Sequence, residues 1–336
     1  MNARKVIIDC DPGIDDALAL MLALSLPQIE VIGITVVCGN VPVEKGIVNA
    51  RRVLEWMGRE EIPVYAGERT PLMRPYVDAM DTHGEDGLGE SDLPKPMGKE
   101  ESADAVTYLL DTLEREENVS IIALGPLTNL ARAYQRAPHI FAKVEELVSM
   151  GGTFRTPGNC SPVAEYNYWC DPDAAKILYE AFSADTQFKE KKIHMIGLDV
   201  TRKIVLTPNI LEYMKITHPV LGELVEKITR FYFDFHWKQE QVIGCVINDP
   251  LAVAYFVDKT VCQGFDAYTA VETEGISYGQ TLVDEWDIWK KPQNSHILVK
   301  TNVKAFMHLF LCAVFHANEN ECDMVLEQIL AGKEDS

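Results

Sequence analysis

The chain has 336 residues, 47% of them hydrophobic, and its 51 acidic against 31 basic residues give a net charge of −20. That is apolar material for one large domain or two small ones, and so negative a surface repels nucleic acid and anionic membranes, which excludes both as partners. No stretch has transmembrane character, MNARKVIID enters a strand pattern at once without a signal-peptide pattern, and the eight cysteines form no CxxC pair; the expectation is a cytoplasmic protein with mostly buried free thiols.

Short apolar runs rich in β-branched residues alternate with helical patterns. Val6-Ile7-Ile8 predicts a strand and Ala17 to Ser25 a helix; between them, residues 9–16 read DCDPGIDD. Val31 to Val37 predicts a second strand, ending in Cys38-Gly39-Asn40, and Val43 to Met57 a helix. Residues 65–101, rich in Gly, Pro and acid, break the rhythm and predict a long loop or lid. Ala103 to Arg115 reads as helix, Ser120 to Leu124 as strand, and Thr128 to Gln135 as helix after the turn Gly125-Pro126-Leu127. Leu147 to Met150 predicts a strand ending in Gly151-Gly152, Pro172 to Phe182 a helix, and His194 to Leu198 a strand. Pro219 to Gln241 predicts a long helix, aromatic towards its end, within a helical segment 219–250; Asn248-Asp249-Pro250 opens another apolar helical run, and residues 265–304 return to strand patterns. Alternation at this spacing argues for an α/β fold: a single domain over 1–336, built on an open, mostly parallel, doubly wound sheet with additional C-terminal helices and strands.

Four predicted strands end in polar or glycine-rich turns, and parallel strands deliver those turns to one edge of the sheet, where ligands bind in open α/β folds. Asp15 and Asp16 start a helix, whose dipole favours carboxylates. That does not account for Asp9 and Asp11 at the end of a buried strand, where crowded like charges raise one another's pKa. With no Lys or Arg in the motif, a hard divalent cation is the economical counter-charge, and oxygen ligands suit Ca²⁺ or Mg²⁺; the bland reading is a capped, solvated turn. Asp249 is a remote ligand or an ordinary Asp-Pro helix opener. Asn159, Glu165 and Asn167 suit a ligand with several hydroxyls, or form a polar loop. His83 dips into a site or sits on the surface.

Together these elements resemble the inosine–uridine nucleoside hydrolase family. DCDPGIDD is similar to its N-terminal aspartate motif, followed in the family's order by Cys38-Gly39-Asn40, His83-Gly84-Glu85-Asp86-Gly87-Leu88, Gly125-Pro126-Leu127-Thr128-Asn129, Met150-Gly151-Gly152, Val163-Ala164-Glu165-Tyr166-Asn167 with Asp171-Pro172, Gly197-Leu198-Asp199 and Asp249-Pro250. The resemblance implies a Ca²⁺-dependent hydrolase of the N-glycosidic bond of ribonucleosides, working as a homodimer or homotetramer. It implies Asp11, Asp16, Asp249 and the main-chain carbonyl of Leu124 as metal ligands, and Asp11 as the base that deprotonates a water. Asp15, Asn40, Asn159, Glu165 and Asn167 would hold the ribose, with Asp9 behind the cluster and His83 near the ribose or on the lid. DCDPG also resembles the aspartate motif of haloacid-dehalogenase-type phosphatases, but Gly13 stands where that motif wants Thr or Val, and GPLTN and AEYN are left unexplained.

The chain departs from the family's pattern at Asn248. Many members carry a His there, taken as the acid that protonates the departing base; an amide donates a hydrogen bond but delivers no proton. The segment 219–250 offers His236 as a substitute acid or Trp237 as a stacking partner for the base, with Tyr232 one turn before His236. The alternative is a catalytically weak or inactive nucleoside- or ribose-binding paralogue.

Overall fold

The computed structural model describes residues 3–97 and 103–331. Its strands are β1 (Arg4–Cys10), β2 (Ile29–Val36), β3 (Val64–Ala66), β4 (Ser120–Ala123), β5 (Leu147–Met150), β6 (Ile193–Ile196), β7 (Val205–Leu206), β8 (Cys245–Val246), β9 (Cys262–Val271), β10 (Thr281–Asp284) and β11 (Ser295–Thr301). Side chains alternate across a strand, and β1 shows the result: Val6, Ile8 and Cys10 enter one core and Ile7 the other. The helices Ile14–Ser25, Val43–Trp56, Pro219–Glu240, Pro250–Val257 and Val303–Phe315 fill the first core, and Ala105–Arg115, Thr128–Arg136 and Pro172–Ala184 the second. Apolar residues on both faces of the strands thus call for helices on both faces.

The main sheet runs β10-β9-β11-β6-β5-β4-β1-β2-β3; β9 pairs antiparallel with both its neighbours and every other pairing is parallel, while β7 and β8 form a separate antiparallel pair. The sheet is therefore the mostly parallel, doubly wound one expected. From β1 the chain moves to β2 on one side, while β4 leads to β5 on the other, so the β1–β4 boundary is the switch point. The two connections part there and leave a crevice beyond the carboxyl ends of the strands.

Some boundaries differ from expectation. The first helix begins at Ile14, three residues early, because Asp16 folds back and accepts the Gly13 amide at 2.9 Å. β6 stops at Ile196, since Leu198 already opens the helix Leu198–Thr201. The helix from Pro219 ends at Glu240, with Gln241 left-handed (φ 59°), and β8 follows, so 219–250 is not helical throughout. The stretch 65–101 is not a free loop. It opens within β3 and forms a helical turn, Met80–His83, and residues 98–101 lie outside the described residues. It is fastened down where Asn49 Nδ2 donates to the Asp86 carbonyl (2.8 Å), Arg52 to the carbonyls of Leu93 (2.7 Å) and Pro94 (3.0 Å), and the Ala79 amide to the Asn40 carbonyl (3.0 Å). No described helix is long and apolar enough to cross a membrane, and all eight cysteines are free.

Asp9 locks β1 to its surroundings behind the crevice. Its Oδ1 accepts Thr35 Oγ1 from β2 at 2.6 Å and Asn129 Nδ2 from the helix Thr128–Arg136 at 2.8 Å. Thr35→Val keeps the shape and removes one of these buried bonds. It is expected to lower unfolding stability by about 1–3 kcal/mol, read from urea melts with an unchanged slope; a loss below about 0.5 kcal/mol would mean that Asn129 alone suffices.

Candidate active site

Everything at the crevice is arranged around Asp11, just past the end of β1. Its Oδ2 accepts the Asn40 amide at 2.7 Å, and its Oδ1 is buried without a partner. A Cβ on Gly39 or on Gly125 would collide with this carboxylate, which is why glycine stands in the turns after both neighbouring strands. Asp16 Oδ2 accepts Asn40 Nδ2 at 3.0 Å, and its Oδ1 the Asp11 amide at 3.3 Å. Asp249 stands before the helix Pro250–Val257 but accepts no capping bond from it. Instead its carboxylate gathers with those of Asp15 and Asp16, one oxygen of each lying within 4.8 Å of the others. Asp15 Oδ2 is well supplied with donors: Asn248 Nδ2 at 3.1 Å, the Asn248 amide at 3.2 Å and the Tyr232 hydroxyl at 3.3 Å.

A cavity of about 400 Å³ opens against this cluster, the size of a small-molecule site. Of the residues singled out in the sequence, Asp15, Asn40, His83, Leu124, Asn159, Glu165, Asn167, His236, Asn248 and Asp249 line it, and Asp11 and Asp16 are buried behind the lining. Glu165 caps the helix Tyr166–Cys170 by accepting the Asn167 amide at 2.8 Å, and its other oxygen accepts the Gly152 amide at 2.8 Å. Asn159 Oδ1 accepts the Tyr166 amide at 2.9 Å, and Asn167 Nδ2 donates to the Leu124 carbonyl at 2.7 Å. His83 is buried, not on the surface. Its Nδ1 accepts the Ile14 amide at 3.1 Å, which puts the proton of the neutral ring on Nε2.

Another wall comes from the helix Pro219–Glu240. Tyr232, Phe235, His236, Gln239 and Glu240 line the cavity, an i, i+3, i+4, i+7, i+8 set on one face. Trp237 falls a further 100° round the helix, is 50% exposed and does not line the cavity, so it is not brought to the site as a stacking partner. His236 is buried with its ring edge-on to Tyr232, centroids 4.4 Å apart, and its Nδ1 lies 2.9 Å from the Tyr232 carbonyl, which leaves Nε2 as the free ring nitrogen. Phe235, Gln239 and Glu240 were missed in the sequence, although helical spacing from Tyr232 marks the first and from His236 the other two. Arg202 was missed too, and nothing in its neighbourhood signals it. Among the described lining residues it is the one Lys or Arg, and it is engaged by Glu240 at 3.1 Å and the Gly158 carbonyl at 3.2 Å.

The carboxylates therefore face one another without a cationic side chain among them. Burial, followed by repulsion from Asp16, raises the Asp11 pKa well above the carboxylate range; burial, then Asp15, does the same to Asp249 and pushes Asp16 up to about 7. Burial pushes Asp9 up to about 7 against its bonds from Asn129 and Thr35, and Glu165 to about 7 against three backbone donors. Burial also lowers both His83 and His236, which favours neutral rings. A partnerless oxygen on Asp11, converging carboxylates and a carbonyl at Leu124 are all hard oxygen donors, and they fit a divalent cation. The trio found close together contains Asp15 in place of Asp11. Asp15 accepts three hydrogen bonds, all on Oδ2, and Asp16 three across its two oxygens, whereas Asp11 Oδ1 accepts none.

Residues 6–308 match the family model described as inosine-uridine preferring nucleoside hydrolase. The chain is 33% identical over 312 residues to a pyrimidine-specific ribonucleoside hydrolase of Escherichia coli (strain K12 / DH10B), covering 92% of this chain and 96% of that protein. Among solved structures, a plant nucleoside hydrolase is similar with a TM-score of 0.85 at 31% identity, over 94% of this chain and 99% of that one. A purine-preferring ribonucleoside hydrolase from Gardnerella vaginalis also gives 0.85, at 30% identity over 96% and 100%.

The acidic cluster makes the metal-free chain pH-sensitive in a defined direction. Asp9 and Asp16 titrate near 7 when folded and near about 3.9 when unfolded. Between those values the folded chain binds more protons, so its stability falls as pH rises towards 7 and stays reduced above it. With a chelator present, Tm is expected to be higher at about pH 6 than at about pH 8, and Ca²⁺ to restore more at the higher pH. A chelated protein that gains Tm over this interval contradicts that electrostatic account.

Proposed function

The chain belongs to the inosine–uridine preferring nucleoside hydrolase family, and from that premise we propose that it hydrolyses ribonucleosides to ribose and free base with Ca²⁺ as its cofactor and Asp11 as the general base. The observation that carries the reading is the buried, partnerless Oδ1 of Asp11, held in place by the Asn40 amide and the bare backbones of Gly39 and Gly125. Asp11, Asp16, Asp249 and the Leu124 carbonyl would hold the cation, which when bound supplies the missing positive charge and makes a water more acidic.

Asp11 accepts the proton of the water whose oxygen bonds to C1′ of the ribose as the bond from C1′ to the base nitrogen breaks. Asp15, Asn40, Asn159 and Asn167 hold the sugar hydroxyls, and Glu165 holds the Gly152 turn and the first turn of the helix that carries Asn167. Positive charge develops on the ribose in the transition state, and the carboxylates and amide oxygens around it stabilise that charge where water is excluded. His83 offers an Nε2 proton to the substrate from a ring fixed by the Ile14 amide. Asn248, standing where many relatives carry a His, spends its Nδ2 on Asp15; its role is to orient Asp15, not to protonate the base. His236 then takes the leaving-group role. Its Nδ1–H donates to the Tyr232 carbonyl, and a proton taken up from solvent at Nε2 gives the imidazolium that passes it to the departing base, a form that the Tyr232 carbonyl, Glu240 and Asp15 favour against burial.

The test is sugar release from a panel of purine and pyrimidine ribonucleosides, with Ca²⁺ and with chelator; the relatives' names span both base classes, so the ranking is the measurement. Asp11→Asn is expected to lose about 10²–10⁴-fold in kcat with an unchanged far-UV circular dichroism spectrum. If calcium binds tightly and no nucleoside in the panel is turned over, the hydrolase reading of this cavity fails and a binding protein is left. His236→Ala is expected to lose at least about 100-fold in kcat on natural nucleosides, yet to match the parent on a riboside with a nitrophenolate leaving group, which departs unprotonated. Equal losses on both substrates would remove His236 from the leaving-group step.

A further inference from the structure

Outside the cavity, the helices Val303–Phe315 and Glu319–Leu330 are joined by a short turn in which His316 is left-handed (φ 55°). We propose that His308, Cys312 and Cys322, on this helical pair, form a zinc site separate from the nucleoside cavity. His308 and Cys312 stand at i and i+4 and share a face of the first helix, and Cys322, fully buried, comes from the first turn of the second. One ligand atom from each lies within 4.8 Å of the other two, and His308 Nε2 is 3.8 Å from Cys312 Sγ. Zn–N of about 2.0 Å and Zn–S of about 2.3 Å at a tetrahedral angle put nitrogen and sulfur about 3.5 Å apart. The observed pair is already within a few tenths of an ångström of that spacing.

The chemistry of the donors points the same way. Two sulfurs and an imidazole select a borderline-soft ion and discriminate against calcium, the reverse of the all-oxygen cluster at the cavity. Both thiols are free, and zinc binding would expel their protons. The Tyr213 hydroxyl, on the helix Pro208–Thr217 in the same core as Cys322, is buried without a hydrogen-bond partner. A thiolate is a much better acceptor than a thiol, and a spare donor in this core would suit one. His308 Nε2 now meets the Glu319 carbonyl at 3.3 Å and would exchange that contact for the metal. Glu319, one turn before Cys322, or a water fills the fourth position. None of the three ligands lines the cavity. The helix Val303–Phe315 shares its core with Ile14–Ser25, which carries Asp15 and Asp16, so the metal would act as a clamp on the scaffold and not as a reactant.

Cobalt reports on the ligands directly. The full-length protein, stripped of metal under reducing conditions and titrated with Co²⁺, is expected to develop thiolate-to-cobalt charge-transfer absorption with the intense visible bands of a tetrahedral site, and Zn²⁺ should bleach both. Asp16→Asn is expected to leave this signal intact, which separates it from the acidic cluster. C312S and C322S should abolish it, and H308A should weaken cobalt binding by no less than the roughly 10–100-fold that losing an outer-shell partner costs, while nucleoside turnover persists. Because Cys322 is fully buried, C312S and H308A, at partly exposed positions, carry the test if C322S does not fold. No thiolate band in the parent protein, or a band that survives both C312S and H308A, overturns the proposal. So does conversion of the pair to a disulfide in air by a protein that takes up no metal when reduced.

Discussion

Four aspartates, Asp11, Asp15, Asp16 and Asp249, crowd into one buried place with no Lys or Arg to meet them, and the rest of the site follows from how that charge is borne. An ionised carboxylate removed from water is costly unless donors or counter-charge replace the solvent. The chain supplies donors where a doubly wound sheet has them to spare: the amide after β2, the amides at a helix start, and an asparagine side chain reaching across. Asp11 keeps an oxygen that nothing in the protein satisfies. Asp9 Oδ2 is likewise buried without a partner, so the cluster carries more acceptor oxygens than the fold supplies donors.

The walls of the cavity are built differently. Glu165, Asn159 and Asn167 face the cavity while holding backbone in place, and rigid groups of this kind would suit a transition state whose charge develops at a fixed spot. Another wall is one face of the helix Pro219–Glu240, beside an arginine already paired to a glutamate. A helix face changes by side-chain substitution without disturbing the sheet, in keeping with relatives of one fold named for different bases.

The strand–helix alternation and the carboxyl-edge turns were legible because period and composition are local properties. So was the aspartate motif, since a capped, solvated turn accounts for Asp15 and Asp16 at a helix start better than for Asp9 and Asp11 at the end of a buried strand. Less legible was anything set by three-dimensional closure. That Asp249, more than two hundred residues away, joins Asp16 rests on the order of the strands, which no spacing encodes. The segment 65–97 looked loose because its anchors, Asn49 and Arg52, lie on another helix and act on backbone carbonyls. The choice between His236 and Trp237 was within reach: one residue is a turn of 100°, and only His236 keeps the phase of Tyr232. Arg202 was beyond reach, an ordinary arginine made significant by the cavity it borders.

Asn40 ties separate parts of the molecule together. Its amide holds Asp11, its side chain holds Asp16, and its carbonyl receives the Ala79 amide at the head of the turn that carries His83. One peptide unit and one carboxamide therefore belong both to the acidic cluster and to the cavity's covering segment. In thermodynamic terms the two are linked, and linkage is reciprocal. Under the proposed function, an ion that fixed the carboxylates would also fix the Asn40 peptide on which the covering segment rests, and a sugar held against that segment would in turn favour the ion. The Ile14 amide on His83, and Asn49 between the Pro12 and Asp86 carbonyls, are further links of the same kind.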